Sequence, residues 1–80
     1  SQTLLFPEKL EFSPDDFDAL LDVLPYLEKI GFKIKKENDS SIRIDAIPSE
    51  MAIGNERDVI REILDNFLNE RKKYSSFQEG

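Results

Sequence analysis

Residues 2–7, with the sequence QTLLFP, combine side chains suited to docking onto another protein. Gln2 carries amide donors and an acceptor that can orient a peptide, and Leu4, Leu5 and Phe6 can fill an apolar pocket. Pro7 fixes its own φ and disfavours helix at the preceding residue, so the segment should stay extended. A first β-strand with its leucines in the core explains the same residues. The pattern alone favours this plainer interpretation, because so short a motif often occurs by chance.

The residue types that most often carry catalysis or bind metals are missing. The chain has no histidine and no cysteine, which excludes a Ser-His triad, disulfides and a zinc site built on those ligands. Its three glycines are widely spaced, so there is no glycine-rich phosphate loop, and no carboxylate pair stands out as a catalytic dyad. We therefore expect neither enzyme activity nor a cofactor in this chain.

Two charged clusters have plain structural explanations. Carboxylates recur along the first predicted helix, at Asp15, Asp16, Asp18, Asp22 and Glu28. Divalent cations need oxygen ligands that converge from a folded loop, so this array indicates a solvated helix face rather than a metal site. A basic cluster on the predicted hairpin consists of Lys33, Lys35, Lys36 and Arg43. It could contact a nucleic-acid backbone, but lysines on a hairpin more often protect a sheet edge.

Length and charge narrow the class of protein. Eighty residues form at most one domain, and a net charge of −6 makes strong direct nucleic-acid binding unexpected. No apolar run approaches the roughly 20 residues that span a bilayer, and no signal peptide opens the chain, which fits a cytoplasmic location without a membrane partner. Because the chain lacks an initiator methionine and ends in a polar tail, we expect it to be a fragment of a longer protein.

Local patterns predict an α+β domain. Alternation through Leu10 and Phe12 indicates a strand, and Ser13 should cap a helix that ends at Gly31. Two further alternating segments, residues 32–35 and 42–46, should form a hairpin before a last helix that starts near residue 55. Pro25 should kink the first helix or split it. Residues 74–80 should form a frayed tail.

The element order is β-α-β-β-α, in two layers. A right-handed crossover would set strands one and two parallel, and the hairpin would add strand three antiparallel. We therefore expect a three-stranded mixed sheet with both helices on one face and the other face open to solvent or a partner.

The chain resembles the C-terminal domain of the MutL family of DNA mismatch repair proteins. The resemblance covers residues 2–73 and depends on the order and spacing of four segments. They are QTLLFP at residues 2–7, LEFSP at 10–14, LPYLEKIGF at 24–32 and IDAIP at 44–48. It implies an external regulatory subdomain that is inserted into the subdomain forming the homodimer. The family's nuclease motifs lie outside this insert.

The resemblance also implies a partner. The family's motif for the replication sliding clamp maps onto Gln2, Leu4, Leu5 and Pro7, while Phe6 departs towards the general clamp-binding form. We therefore expect a non-catalytic interaction subdomain in mismatch repair that docks onto the clamp through residues 2–7. ATP binding, mismatched-DNA binding, contact with the mismatch-recognition protein MutS and homodimer formation would belong to other parts of the parent. The alternative is a self-contained ligand- or metal-sensing domain that uses the open sheet face.

Overall fold

The computed structural model describes residues 1–79, except for the side chain of Glu79. The five elements follow the predicted order and confirm the α+β class. They are β1 (Gln2–Glu11), α1 (Pro14–Ile30), β2 (Lys33–Lys36), β3 (Ser41–Ile47) and α2 (Glu56–Glu79).

The sheet is antiparallel throughout, with β3 in the centre and the order β1-β3-β2. The prediction of a mixed sheet is wrong in this respect. β1 and β2 run in the same direction, as the crossover requires, but β3 lies between them instead of beside β2 alone. The burial of the strands explains the order. All seven residues of β3 are at least half-buried, whereas β2 carries three exposed lysines and suits an edge position.

Helix α1 has the predicted boundaries. The Oγ atom of Ser13 accepts a hydrogen bond from the Asp16 N–H at 3.3 Å, and Pro14 occupies the first turn. At the other end, the Gly31 N–H donates to the carbonyl oxygen of Glu28. Pro25 lies inside this single helix, so the helix is not split into two at the proline.

Both helices bury apolar side chains in one core with the sheet. The largest fully buried members are Phe32, Leu20, Leu27, Ile42, Ile44, Ile47, Ile60 and Leu64. Lys9, Lys35 and Arg43 form a cross-strand row on the opposite face of the sheet. This arrangement follows the predicted two layers, with one covered and one open face.

Helix α2 is longer than the sequence predicts. The tail expected to fray from Tyr74 remains helical as far as Glu79, and Gly80 lies outside the described residues. No proline or glycine interrupts residues 74–79, and Gln78 Nε2 donates to the Tyr74 hydroxyl at 3.0 Å, one helical turn away. Within the described part of the chain, no helix is long and apolar enough to cross a membrane.

Gly31 and Gly54 provide a matched test of how the helix end packs on the segment after β3. Both have positive φ, +121° and +106°, but a Cβ at Gly31 would lie 3.0 Å from Pro48 Cα, whereas one at Gly54 would meet nothing within 4 Å. We predict that Gly31→Ala destabilises the fold by at least about 2 kcal/mol and Gly54→Ala by about 1 kcal/mol. Urea denaturation measures both. Equal losses in the free energy of unfolding would show that Pro48 moves away from the new Cβ at no energetic cost.

Candidate protein-docking site

Strands β1 and β3 fall out of register in the middle of β1. Thr3 pairs with Ala46, but the next paired residue of β1, Glu8, lies opposite Ile44. Between these two pairs, β1 has four residues, 4–7, and β3 has one. A regular ladder would have one residue on each strand, so β1 has three extra residues here. Extra residues on one strand leave the ladder and bend that strand. Most of the predicted docking segment lies in this bulge, residues 4–7.

The bulge divides its apolar side chains between the surface and the core. Leu5 and Phe6 are 87% and 82% exposed, and Pro7 is exposed beside them. Leu4 points the other way and is a member of the core, 8% exposed. Pro7 has no N–H to contribute to a ladder, so its position in the bulge leaves no donor unpaired. The structure therefore presents Leu5 and Phe6 as a solvent-facing apolar pair.

Gln2 is held by the fold itself. Its Nε2 atom donates to the carbonyl oxygens of Pro48, Ser49 and Met51 at 3.1, 3.2 and 2.6 Å. These acceptors belong to the segment between β3 and α2, residues 48–55, which we call the connector. Two amide hydrogens are shared among three carbonyls, so the Gln2 side chain fastens the start of β1 to the connector.

A second contact joins the two chain segments beyond the bulge. Arg57, in the first turn of α2, binds the Glu8 carboxylate through Nη2 at 3.1 Å and through Nε at 3.2 Å. β1 is thus held near both ends of the bulge, to the connector by Gln2 and to the start of α2 by the Glu8–Arg57 pair. Ile53, 71% exposed, lies within this connector.

The five predicted site residues therefore have different surroundings. Leu5, Phe6 and Pro7 lie together at the surface, whereas Leu4 enters the core and the Gln2 amide is bonded to the connector. A surface of this kind supports recognition: the exposed pair can enter an apolar pocket. The core-strand interpretation describes Leu4, whereas docking through Leu5, Phe6 and Pro7 stays a prediction.

The groups that hold Gln2 were not predictable from the sequence. They are backbone carbonyls, which every residue possesses, so their positions leave no trace in residue type. The pairing of Glu8 with Arg57 was also missed. Opposite charges separated by 49 positions carry no spacing signal.

The predicted basic patch on the hairpin is not a single surface. Arg43 makes a two-pronged contact with Asp45, at 2.6 and 3.0 Å, and lies 3.7 Å from Glu37. The hydrogen bond from Arg43 lowers the pKa of Asp45, and the same bond raises the pKa of Arg43. Lys36 lies 5.9 Å from the ring centre of Phe17, a residue of the core. Within the predicted patch, the charge of Arg43 is therefore neutralised by neighbouring carboxylates, and Lys36 lies towards α1.

The acidic face of α1 pairs with basic residues of α2. Asp16 contacts Arg61 at 3.0 Å, and Asp22 lies 3.8 Å from Arg71. The hydrogen bond with Asp16 is the main cause of the raised pKa of Arg61. Among residues 1–79, no group of three or more histidine, cysteine, aspartate or glutamate side chains is placed to hold a metal ion. These carboxylates thus help to join the two helices.

Asp45 offers a direct test of the charge arrangement on the open face. Arg43 lowers the pKa of the Asp45 carboxyl in the folded chain. The pairing therefore stabilises the fold at pH values above the pKa that Asp45 has in the unfolded chain. This contribution is lost as the pH falls through the lowered pKa of the folded state. We predict that Arg43→Gln returns the pKa of Asp45 towards its ordinary value, as measured by carboxyl ¹³C NMR titration. An unchanged titration would show that Arg43 does not set it.

Gln2 can be tested as a structural contact with unfolding measurements. We predict that Gln2→Ala destabilises the fold by about 1–2 kcal/mol, because three carbonyl oxygens lose a shared donor. Gln2→Glu should cost more, since a carboxylate cannot donate and would face those oxygens. The control is Gln78→Ala, which removes an exposed hydrogen bond to Tyr74. Equal stability of all three variants would contradict the contact.

Comparisons with known proteins identify relatives over most of the chain. Residues 1–79 match the family described as the MutL C terminal dimerisation domain. The DNA mismatch repair protein MutL of Pelodictyon phaeoclathratiforme is 33% identical over 70 residues, which cover 82% of this chain and 11% of that protein. The MutL protein of Halothermothrix orenii is 32% identical over 72 residues, which cover 90% and 11%. That of Chlorobium phaeobacteroides is 25% identical over 73 residues, which cover 91% and 12%.

The matched region is a small part of each relative, since the chain spans 11–12% of their lengths. The family is described as a dimerisation domain and not as an ATPase or nuclease region, in agreement with the expectation that this chain is not an enzyme. The resemblance drawn from the four sequence segments is confirmed. The chain belongs to the MutL C terminal dimerisation domain family.

Proposed function

We propose that this chain is a non-catalytic protein-interaction unit of a DNA mismatch repair protein and that its bulge docks onto the replication sliding clamp. Leu5 and Phe6 enter an apolar pocket on the clamp, Pro7 keeps the segment extended, and Gln2 supplies the polar contact. Leu4 contributes when the segment is bound. The family membership supports the repair context, and the clamp is the partner that the segment's resemblance implies.

One observation carries the docking proposal: Leu5 and Phe6 are 87% and 82% exposed on a bulge of an edge strand. In that position, these two neighbouring large apolar side chains bury little surface and so contribute little to the stability of the fold. Aromatic and aliphatic anchors in a partner's pocket supply much of the free energy of binding. Because the epitope is short, we expect a dissociation constant in the micromolar range or weaker.

The remaining partners belong to the parent protein. Homodimer formation fits the description of the matched family, and we assign it to a subdomain outside this chain. ATP binding, mismatched-DNA binding and contact with the mismatch-recognition protein MutS are likewise proposed for the parent. The chain's own net charge of −6 disfavours a direct DNA role for this unit.

The alternative of a ligand- or metal-sensing domain gains no support from the open sheet face. Arg43 and Asp45 neutralise each other there, with Glu37 close by. In residues 1–79, no cluster of potential metal ligands converges. Calorimetry with divalent ions remains the measurement that would favour this alternative.

The docking proposal is tested by titrating a bacterial sliding clamp with the chain and its alanine variants. We predict that Leu5→Ala and Phe6→Ala each weaken binding about tenfold, because each removes an apolar anchor. Phe77→Ala is the matched control, since Phe77 is 84% exposed near the end of α2 and lies outside the motif. This control should bind like the unmodified chain.

Measurements of the free energy of unfolding distinguish a loss of clamp binding from a loss of folding. Leu5, Phe6 and Phe77 are all exposed, so their replacement should change the free energy of unfolding by less than about 0.5 kcal/mol. Equal clamp binding by all three variants would contradict the docking proposal, as would the absence of binding by the unmodified chain at high concentration. Either result would leave the family assignment unchanged.

A further inference from the structure

Two residues that the docking motif needs are already in use within the domain. The Gln2 amide is bonded to three connector carbonyls, and Leu4 is buried in the core. A partner that takes the glutamine in a polar pocket and the leucine in an apolar one must first remove both from the fold. Only Leu5, Phe6 and Pro7 are available to a partner without rearrangement.

The start of β1 is held to β3 by fewer backbone pairs than the rest of the strand. Before the bulge, Gln2 pairs with Ile47 and Thr3 with Ala46; after it, four consecutive residues of β1 pair with β3. The bulge interrupts the ladder between these two parts, so the first can separate without breaking the backbone pairs of the second. Short strand ends with few pairs are the elements that open locally at low free energy.

We propose that residues 1–4 act as a latch: the docking motif is closed in the free domain and opens when the start of β1 leaves β3. This inference rests on the proposed clamp docking and concerns the regulation of that site. In the closed state, Leu5 and Phe6 make the first contact. In the open state, Gln2 and Leu4 transfer from the connector and the core to the partner.

The latch couples docking to the connector. When Gln2 leaves, the carbonyls of Pro48, Ser49 and Met51 lose their shared donor, and the Glu8–Arg57 pair at the start of α2 remains as a side-chain contact to β1. The apparent affinity for the clamp is then the intrinsic affinity reduced by the fraction of open molecules. Any change that favours the open state should therefore tighten docking without adding a contact.

A reversible cross-link tests the latch. Thr3 and Ala46 are directly opposite each other on adjacent antiparallel strands, at a spacing that suits a disulfide, and the chain has no cysteine of its own. In the double variant Thr3→Cys, Ala46→Cys, oxidation fixes the start of β1 on β3 and reduction frees it. We predict that the oxidised form binds the sliding clamp at least tenfold more weakly than the reduced form of the same protein.

The outcomes separate the latch from the docking proposal. Equal clamp binding by the oxidised and reduced forms would overturn the latch and leave docking intact. If the unmodified chain does not bind the clamp, the proposed docking itself fails.

A second measurement avoids the buried substitution at Ala46. Amide hydrogen exchange of the unmodified chain should show that ladder amides of the Gln2–Ile47 and Thr3–Ala46 pairs lose protection when saturating clamp is added. The Lys9–Arg43 and Leu10–Ile42 pairs beyond the bulge should keep theirs. Unchanged protection at both ends, with the clamp bound, would overturn the latch whether or not the disulfide variant folds.

Discussion

Between two paired parts of the sheet, β1 has three residues more than the stretch of β3 opposite, and the fold has to accommodate them. On one face of the sheet, α1 and α2 close a packed core over β3. The extra residues leave the ladder at the edge strand. Leu4 turns into the core, while Leu5 and Phe6 face solvent. An exposed apolar pair on the edge strand thus accompanies a mismatch in strand length.

Contacts that reach across the domain connect the start of β1 with the end of α1. The end of α1 approaches the connector so closely that a Cβ on Gly31 would lie 3.0 Å from Pro48 Cα. The Pro48 carbonyl in turn accepts a hydrogen bond from Gln2. The left-handed glycine at the end of one helix therefore lies against the segment to which Gln2 is bonded. Helix packing and site geometry are connected through the backbone.

Local signals predicted the elements well. The cap at Ser13, the end at Gly31 and the alternation of apolar residues placed the strands and α1 because each is a short-range effect. The position of β3 between the two edge strands was not predictable in the same way. It depends on which strand is most buried once both helices have packed, a property of the whole domain.

The candidate site was predictable in composition but not in arrangement. Residues 2–7 were identified from their types, yet consecutive apolar residues such as Leu4, Leu5 and Phe6 have no alternation that would reveal a bulge or assign a direction to each side chain. The partners of Gln2 were hidden because they are backbone carbonyls. Sequence comparison supplied the family, and the structure supplied the division of one motif between core, connector and surface.

In the proposed latch, one side-chain amide serves first the fold and then the partner, and selective labelling can observe this exchange directly. The chain contains only two glutamines, Gln2 and Gln78, so ¹⁵N-glutamine labelling gives two side-chain signals with one as an internal reference. In the free chain, the Gln2 signal should be shifted from the free-amide position and its protons should exchange slowly. Saturating sliding clamp should move the Gln2 signal and leave that of Gln78 unchanged. A Gln2 signal that resembles a free amide in the isolated chain would show that the connector does not hold Gln2, and one that stays in place with clamp bound would show that Gln2 does not transfer to the partner.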